Sequence, residues 1–179
     1  MIILGIDPGS RVAGYGVVQV EGNEQELLTC GVMRFSSEDS HPKRLRDIYE
    51  QLSEVVEEHP PDEGAIEMPV YGKNPQSMLK LGRAQAAAML VLLNRDIPVT
   101  EYTPKQVKKA VTGNGNAPKQ QVAYMVRSIL SIEKEDVLSQ DTTDALAVSI
   151  CHAHRDGSPE SSQHSGWGDF LRKNPDRIG

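Results

Sequence analysis

An apolar segment at the N-terminus ends in an acidic residue and is followed at once by turn-forming residues. Residues 2–6 are apolar β-formers with one glycine, and Asp7-Pro8-Gly9 come directly after them. This pattern predicts a buried strand with one carboxylate at its mouth. Residues 14–18 resume the apolar pattern, so Asp7 is expected where two strands meet a tight turn. Such a carboxylate needs a cation, hydrogen bonds or a metal; an Asp that only starts the turn is the alternative interpretation.

The length and composition of the chain fit one globular domain. It has 179 residues, 38% hydrophobic and 25% charged, and a chain of this length buries most of its unfolded apolar surface. Charged residues interrupt the apolar stretches, so we expect neither a signal peptide nor a membrane partner. Cys30 and Cys151 form no disulfide framework, which favours a cytoplasmic protein. We expect the folded domain in residues 1–154 and a disordered tail in residues 155–179, which is polar and without periodicity.

Charge is distributed unevenly along the chain. The net charge is −6 at pH 7, which by itself argues against a nucleic-acid partner. Residues 68–132, however, contain nine Lys or Arg and only two acidic residues, whereas the rest of the chain is strongly acidic. A basic segment on an otherwise acidic protein is typical of a phosphate-binding surface. Ordinary solvated helix faces explain part of this charge as well.

The hydrophobic periodicity predicts an α/β domain. Strands are predicted over residues 2–7, 14–18, 28–35, 64–67 and 97–100. Helices are predicted from Ser40 or His41 to His59, from Pro75 to about Asn94, from Thr103-Pro104 to a break at residues 113–116, from Pro118 to Leu130, and from about Asp141 through Ile150. Strands first and alternating helices and strands later indicate a mixed sheet with helices on both faces.

Four acidic residues stand out by their positions. Asp7 and Glu67 end predicted strands, and Asp141 and Asp144 open the last helix, where a spacing of three puts both on one face. Like charges brought together there need a compensating cation, and Mg²⁺ prefers carboxylate oxygens. Two such ions about 4 Å apart would support phosphodiester hydrolysis. Each helix Asp alone also fits a cap or a favourable interaction with the helix dipole.

These residues lie within an ordered series of motifs. The motifs are residues 5–16 (GIDPGSRVAGYG), 65–67 (AIE), Lys73-Asn74, 79–82 (LKLG), 106–108 (QVK), 113–115 (GNG) with Lys119, and 141–147 (DTTDALA). In this order, over about residues 1–154, they resemble the RuvC family of Holliday junction resolvases. The resemblance implies a ribonuclease H-like fold with a five-stranded mixed sheet flanked by helices on both faces.

The resemblance also implies an activity and a set of site residues. It implies a homodimer that nicks two strands of a four-way DNA junction symmetrically with Mg²⁺ or Mn²⁺, two ions per site, and that works with RuvA and RuvB. The implied catalytic and metal-binding residues are Asp7, Glu67, Asp141 and Asp144. The implied DNA-binding residues are Lys108 and Lys119, with Lys73, Asn74, Lys80, Lys105 and Lys109 as further candidates.

Two departures from the family pattern affect other positions. Val70 occupies the place of the phenylalanine that commonly wedges into the junction, and Tyr71 stands next to it. Either side chain is a candidate wedge, although Tyr71 is equally expected to pack the loop. In residues 82–86 (GRAQA) the basic residue has moved by two positions, so no contact of Arg83 is carried over.

Two other functions are compatible with the same sequence features. A ribonuclease H-like nuclease that processes RNA and a junction-binding module without turnover are the alternatives; an actin-like ATPase would need far more chain.

His152 and His154 lie more than about 10 Å beyond Asp144 on an ideal helix, so a packing or surface role is expected for them. Cys151 is expected in the core.

Overall fold

A five-stranded mixed sheet forms the centre of the protein. The structure is a computed structural model, and it describes residues 1–69, 74–133 and 138–157. The strands are β1 (Ile2–Asp7), β2 (Val12–Glu21), β3 (Glu24–Arg34), β4 (Glu63–Glu67) and β5 (Val99–Tyr102). Their order in the sheet is β3-β2-β1-β4-β5. The first three strands form an antiparallel meander, and β4 and β5 add parallel to β1. The predicted mixed sheet is confirmed.

Helices cover both faces of this sheet, as predicted. They are α1 (His41–Glu58), α2 (Pro75–Leu93), α3 (Pro104–Thr112), α4 (Lys119–Ile129) and α5 (Gln140–Ala153), and a short 3₁₀ turn (His154–Gly157) follows. Alternate residues of a strand face opposite sides, so Ile3 joins the core beneath α3, α4 and α5. Leu4 joins the core beneath α1 and α2. Among the described residues, no helix is both long enough and apolar enough to span a membrane.

The predicted position of the fifth strand was wrong by two residues. The strand was expected at residues 97–100 but runs from Val99 to Tyr102. Ile97 donates its backbone N–H to the carbonyl of Leu92 at 3.1 Å, so it belongs to the turn that ends α2. At the other end, the Tyr102 carbonyl accepts from the N–H of Met68 at 2.7 Å, which extends the pairing beyond the prediction.

The hairpin of β2 and β3 was also longer than predicted. Residues 14–18 and 28–35 were expected as strands, whereas β2 and β3 pair almost to the turn between Glu21 and Glu24. Polar residues at this outer end gave no apolar pattern to detect, but their backbone groups still pair. Antiparallel pairing therefore continues where the hydrophobic signal has already ended.

Local capping explains why the remaining elements begin and end where the sequence predicted. Ser40 caps α1, and its side chain accepts from the N–H of Lys43. Thr103 and Gln106 form a reciprocal capping box at the start of α3. Gly113 ends α3 in the left-handed conformation at φ 75°, which glycine adopts without strain. This turn directs the chain into α4, whose first residue is Lys119.

Candidate active site

Asp7 and Glu67 come together because the two strands that carry them are parallel neighbours. Ile6 pairs with Ile66 in the β1–β4 ladder, and the two acidic residues are the next residues of their strands. Both carboxylates therefore emerge at the same edge of the sheet. The side chains of Glu67 and Asp7 lie within hydrogen-bonding reach of each other. Two carboxyl groups can share a hydrogen bond only if one of them holds a proton.

The last helix reaches this edge because glycines in the sheet let it approach closely. A Cβ on Gly14 would overlap the carbonyl oxygen of Asp141, and a Cβ on Gly5 would overlap the side chain of Ser149. α5 therefore lies directly on β1 and β2, and residues 145–151 of this helix are buried. Its first turn carries Asp141 and Asp144 toward the end of β1.

The electrostatics of this edge reflect closely gathered negative charge. Burial, together with the charges of Asp144 and Asp141, raises the pKa of Asp7 to about 6. Burial, together with the charges of Asp7 and Asp144, raises the pKa of Glu67 to about 8. Desolvation and like charges both disfavour the ionised form of a carboxyl group. A cation bound nearby would therefore stabilise the ionised form of both groups and lower their pKa values.

A lysine already supplies part of the missing positive charge. Lys119 Nζ donates to Asp144 Oδ2 at 2.9 Å. Burial disfavours the charged form of Lys119, but its hydrogen bond to Asp144 and the charges of Asp144, Asp7 and Glu67 outweigh burial and raise its pKa. Sequence reasoning placed Lys119 on the phosphate side of the site and missed this pairing, because 25 residues separate the two partners.

These groups line one cleft of about 340 Å³. Three carboxylates meet two lysines here, and apolar residues form the rest of the wall. The lining residues are Asp7, Pro8, Glu67, Met68, Pro69, Leu81, Pro104, Val107, Lys108, Lys119, Val122, Asp144 and Ala147. An open cleft with convergent acids and bases, several with shifted pKa values, is the usual form of an active site.

The other predicted site residues lie around this cleft or outside the described residues. Asp141 does not line the cleft, although its charge acts on Asp7. Four further DNA-binding candidates are exposed: Asn74, Lys80, Lys105 and Lys109. The Asn74 side chain also caps α2 by accepting from the N–H groups of Gln76 and Ser77. The predicted wedge residues Val70 and Tyr71, and Lys73, lie outside the described residues.

The two histidines near the end of α5 have a packing and a surface role, as expected. His152 is buried, and its Nε2 lies 2.7 Å from Glu63 Oε2 while its Nδ1 lies 2.9 Å from the Tyr102 hydroxyl. The carboxylate accepts from Nε2, which leaves Nδ1 of a neutral ring to accept from the tyrosine. His154 is exposed and contacts Gln25. Cys151 is buried, and burial raises the pKa of its thiol to about 12.

The carboxylates suit a hard divalent cation by their chemistry, but the present arrangement is not yet a closed metal site. No group of three or more His, Cys, Asp or Glu side chains in the described part of the chain is arranged to hold a metal ion. Lys119 occupies one oxygen of Asp144, and Asp7 and Glu67 lie within hydrogen-bonding reach of each other, where one proton can be shared. Carboxylate oxygens are the preferred ligands of Mg²⁺. A metal would therefore compete with the ammonium group and with the shared proton.

Comparison with known proteins identifies relatives along almost the whole chain. The sequence model of the family described as Crossover junction endodeoxyribonuclease RuvC matches residues 3–152. A protein of that name from Salinibacter ruber is 56% identical over 178 residues, which are 99% of this chain and 99% of the relative. A protein of that name from Bacteroides fragilis is 49% identical in an alignment of 179 positions that covers 99% of this chain and 95% of the relative.

Comparison with solved structures agrees with the sequence relatives. Thermus thermophilus RuvC in complex with a Holliday junction substrate superimposes with a TM-score of 0.77 at 33% identity, over 86% of this chain and 93% of that chain. A yeast mitochondrial Holliday junction resolvase superimposes with a TM-score of 0.60 at 15% identity, over 84% of this chain and 78% of that chain, and supports the fold alone. The expected ribonuclease H-like fold is thus confirmed, and the chain belongs to the RuvC family of crossover junction endodeoxyribonucleases.

Proposed function

We propose that this protein is a divalent-metal-dependent endonuclease that resolves four-way DNA junctions by paired, symmetric nicks. The observation that carries the proposal is the cleft in which Asp7, Glu67 and Asp144 face Lys108 and Lys119. Acidic groups for a metal and basic groups for a phosphate are the two requirements of metal-assisted phosphodiester hydrolysis. Membership of the RuvC family supports the four-way junction as the substrate.

The carboxylates would hold the metal, with Asp7 and Glu67 as the central pair and Asp144 and Asp141 on the side of α5. We propose Mg²⁺ or Mn²⁺, two ions per site, because four carboxylates exceed what the two lysines of the cleft neutralise. When bound, such ions activate a water and stabilise the attacking and leaving oxygens. Any proton on Asp7 or Glu67 would have to leave first, since a carboxylate binds a hard cation in its ionised form.

The lysines of the cleft would position the DNA backbone. Lys108 approaches from α3 and Lys119 from the first turn of α4, so two helices place ammonium groups beside the same carboxylates. Contacts to phosphates fix the position of the DNA but do not read its sequence. Lys119 would also change its partner on DNA binding, from Asp144, with which it pairs in the free protein, to a DNA phosphate. Lys80, Lys105, Lys109, Lys73 and Asn74 would extend the same surface away from the cleft.

A homodimer would place two such clefts on one junction, and one face of α2 supports it. Leu79, Leu90 and Leu93 are exposed by 56%, 49% and 48%. With the exposed Ala86 they follow a helical spacing that puts them on a single stripe. The opposite side of α2 packs against the sheet. A stripe of exposed leucines on a monomer is typical of a protein interface, and symmetric dimers are the commonest oligomers.

Family membership also underlies the remaining parts of the proposal. Val70 or Tyr71 would act as an apolar wedge that unstacks bases at the crossover, at a cost of a few kcal/mol. Cooperation with RuvA and RuvB is proposed by analogy with the family. A cytoplasmic location is proposed from action on DNA and from Cys30 and Cys151, neither of which is in a disulfide.

The proposal is tested by cleavage of a synthetic four-way junction with Mg²⁺ or Mn²⁺, beside a linear duplex and an RNA–DNA hybrid. We expect paired nicks at symmetric positions of the junction and little cleavage of the other substrates. Equal or better cleavage of the hybrid would favour the alternative, a nuclease that processes RNA. Tight junction binding with no cleavage under either metal would favour a binding module without turnover.

A further inference from the structure

The cleft that contains the carboxylates and lysines also has an apolar face. Its members come from the turn after β4, from α2 and from the start of α3, and they are Met68, Pro69, Leu81 and Pro104. Met68 is 40% exposed, and the other three are half-buried. Apolar side chains that stay open to solvent inside a cleft are available to pack against a bound ligand. A substrate in the cleft would therefore cover this apolar face.

Two members of the apolar face lie beside groups that are proposed to hold the metal and the phosphate. Met68 directly follows Glu67, and its N–H donates to the carbonyl of Tyr102 at 2.7 Å. Tyr102 lies two residues before Pro104, so this hydrogen bond joins the segments of Met68 and Pro104. Pro104 and Lys108 are four residues apart on α3 and therefore share one side of that helix. A group bound between Glu67 and Lys108 would lie next to the apolar face.

The four residues of the apolar face offer a substrate no hydrogen-bond donor. Pro69 and Pro104 have no backbone N–H. The N–H of Met68 is already donated to Tyr102, and Leu81 lies within α2, where N–H groups bond along the helix. Among the described residues that line the cleft, every side chain is either charged or apolar, and none is a neutral polar group. A hydroxyl group placed against this face would give up hydrogen bonds to water and receive no donor in exchange, which is unfavourable.

We propose that the apolar face selects DNA over RNA by packing against a sugar beside the scissile phosphate. The proposal rests on the proposed function, in which the cleft holds the phosphate that is cut; a sugar is attached on each side of that phosphate. Deoxyribose carries only hydrogen at its 2′ carbon, whereas ribose carries a hydroxyl, the group by which proteins tell RNA from DNA. Met68, Leu81 and Pro104 thus determine specificity, because nothing they present can pair with a 2′-hydroxyl.

Cleavage of four-way junctions that carry one ribonucleotide in each cut strand tests this selection. After the cut positions are mapped on an all-DNA junction with Mg²⁺ or Mn²⁺, ribose is placed on the 5′ side or on the 3′ side of the scissile phosphate. We expect kcat/KM to fall about 10- to 100-fold at one of these positions, since an apolar pocket rejects an added hydroxyl by up to about 100-fold. A ribonucleotide far from the cut should have no effect. A 2′-fluoro sugar, which favours the ring pucker of ribose but has no hydroxyl, should be cleaved nearly as well as DNA.

Two variants assign the selection to the apolar face. Met68→Gln and Leu81→Gln each place an amide donor on this face at a similar side-chain length, so the preference for deoxyribose should shrink by about 2- to 10-fold. A merely structural change would slow the cleavage of both junctions alike and leave the ratio of their rates unchanged. The matched control is Tyr124→Gln, because Tyr124 is 68% exposed on α4 and does not line the cleft.

The possible results separate this inference from the proposed function. Equal cleavage of the DNA and ribose-containing junctions at both flanking positions would overturn the selection and leave the proposed function standing. An equal loss with the 2′-fluoro sugar would overturn the role of the hydroxyl in favour of ring pucker. Unchanged ratios in Met68→Gln and Leu81→Gln would overturn the assignment to the apolar face. If wild-type protein does not cleave the all-DNA junction, the proposed function fails, and the inference that rests on it fails as well.

Discussion

Replacement of Glu67 by glutamine should stabilise the metal-free protein while it removes activity. The fold raises the pKa of Glu67 from 4.5 to about 8 by burial and by the charges of Asp7 and Asp144. The folded state therefore favours the protonated form of Glu67. Where the pH forces Glu67 to ionise, the free energy of unfolding is lower. The glutamine side chain has the same shape, carries no charge and can donate to the Asp7 carboxylate as the protonated acid does.

The size and the pH dependence of this effect follow from the shift. One pKa unit corresponds to about 1.4 kcal/mol, so the full shift would correspond to about 5 kcal/mol. Because Glu67 keeps partial contact with solvent and titrates together with Asp7, we expect about 1–2 kcal/mol. The penalty is absent below about pH 4.5 and grows as pH rises toward 8, since the folded state then binds more protons than the unfolded state. For a chain of this length the gain amounts to about 3–6 °C in melting temperature.

Thermal unfolding of wild type and Glu67→Gln at pH 5 and pH 8, with EDTA and with Mg²⁺, measures this effect. We expect a gain at pH 8 in EDTA, a much smaller gain at pH 5, and a loss of the advantage in Mg²⁺, because the metal stabilises only the protein that binds it. Glu54→Gln, on the exposed face of α1, is the control for removal of a charge. The reasoning is refuted if the gain is the same at both pH values or if Glu54→Gln matches it.

Four further predictions concern the rest of the site. Asp7→Asn should lower junction cleavage at least about 100-fold while junction binding survives, which a gel-shift assay beside a cleavage assay checks; loss of both would contradict a catalytic role. Lys119→Gln should move half-maximal cleavage to higher pH, because Lys119 lowers the pKa of Asp7 and Glu67; a pH–rate profile tests the sign, and an unchanged midpoint contradicts it. Leu90→Glu should convert a dimer into a monomer in sedimentation, and a persistent dimer would exclude the leucine stripe. Tyr71→Ala should slow cleavage more than binding, and an unchanged rate would remove the wedge.

The helices and strands whose ends depend on nearby residues could be predicted from the sequence, and they make up most of the fold. The ends of α1 and α3 follow from Ser40, from the Thr103 capping box and from Gly113, all of which act within a few residues. Asp7 and Glu67 could be placed at one edge because each ends an apolar strand. The displacement of β5 could not be predicted. The N–H of Ile97 donates to the carbonyl of Leu92 at the end of α2, and the apolar pattern does not indicate this hydrogen bond.

Contacts between distant residues could not be predicted. The approach of α5 depends on the absence of a side chain at Gly5 and Gly14, which the sequence shows only as two glycines in strands. A glycine within a strand pattern signals a close approach of backbone, so this clue was present and unused. The burial of Arg44 had no sequence signal, because the pattern of α1 accounts for its position without its side chain.

Under the proposed function, the site would couple the binding of metal, proton and DNA through Lys119. Lys119 neutralises Asp144 in the free protein, and its charge lowers the pKa of Asp7 and Glu67. A DNA phosphate that draws Lys119 away removes this compensation and leaves the carboxylates more in need of a cation. Metal binding in turn frees Lys119 for the phosphate, since both compete for the same carboxylate oxygen. Metal and DNA should therefore raise each other's affinity, as linkage requires, and Lys119→Gln should weaken that cooperation even where the carboxylates are intact.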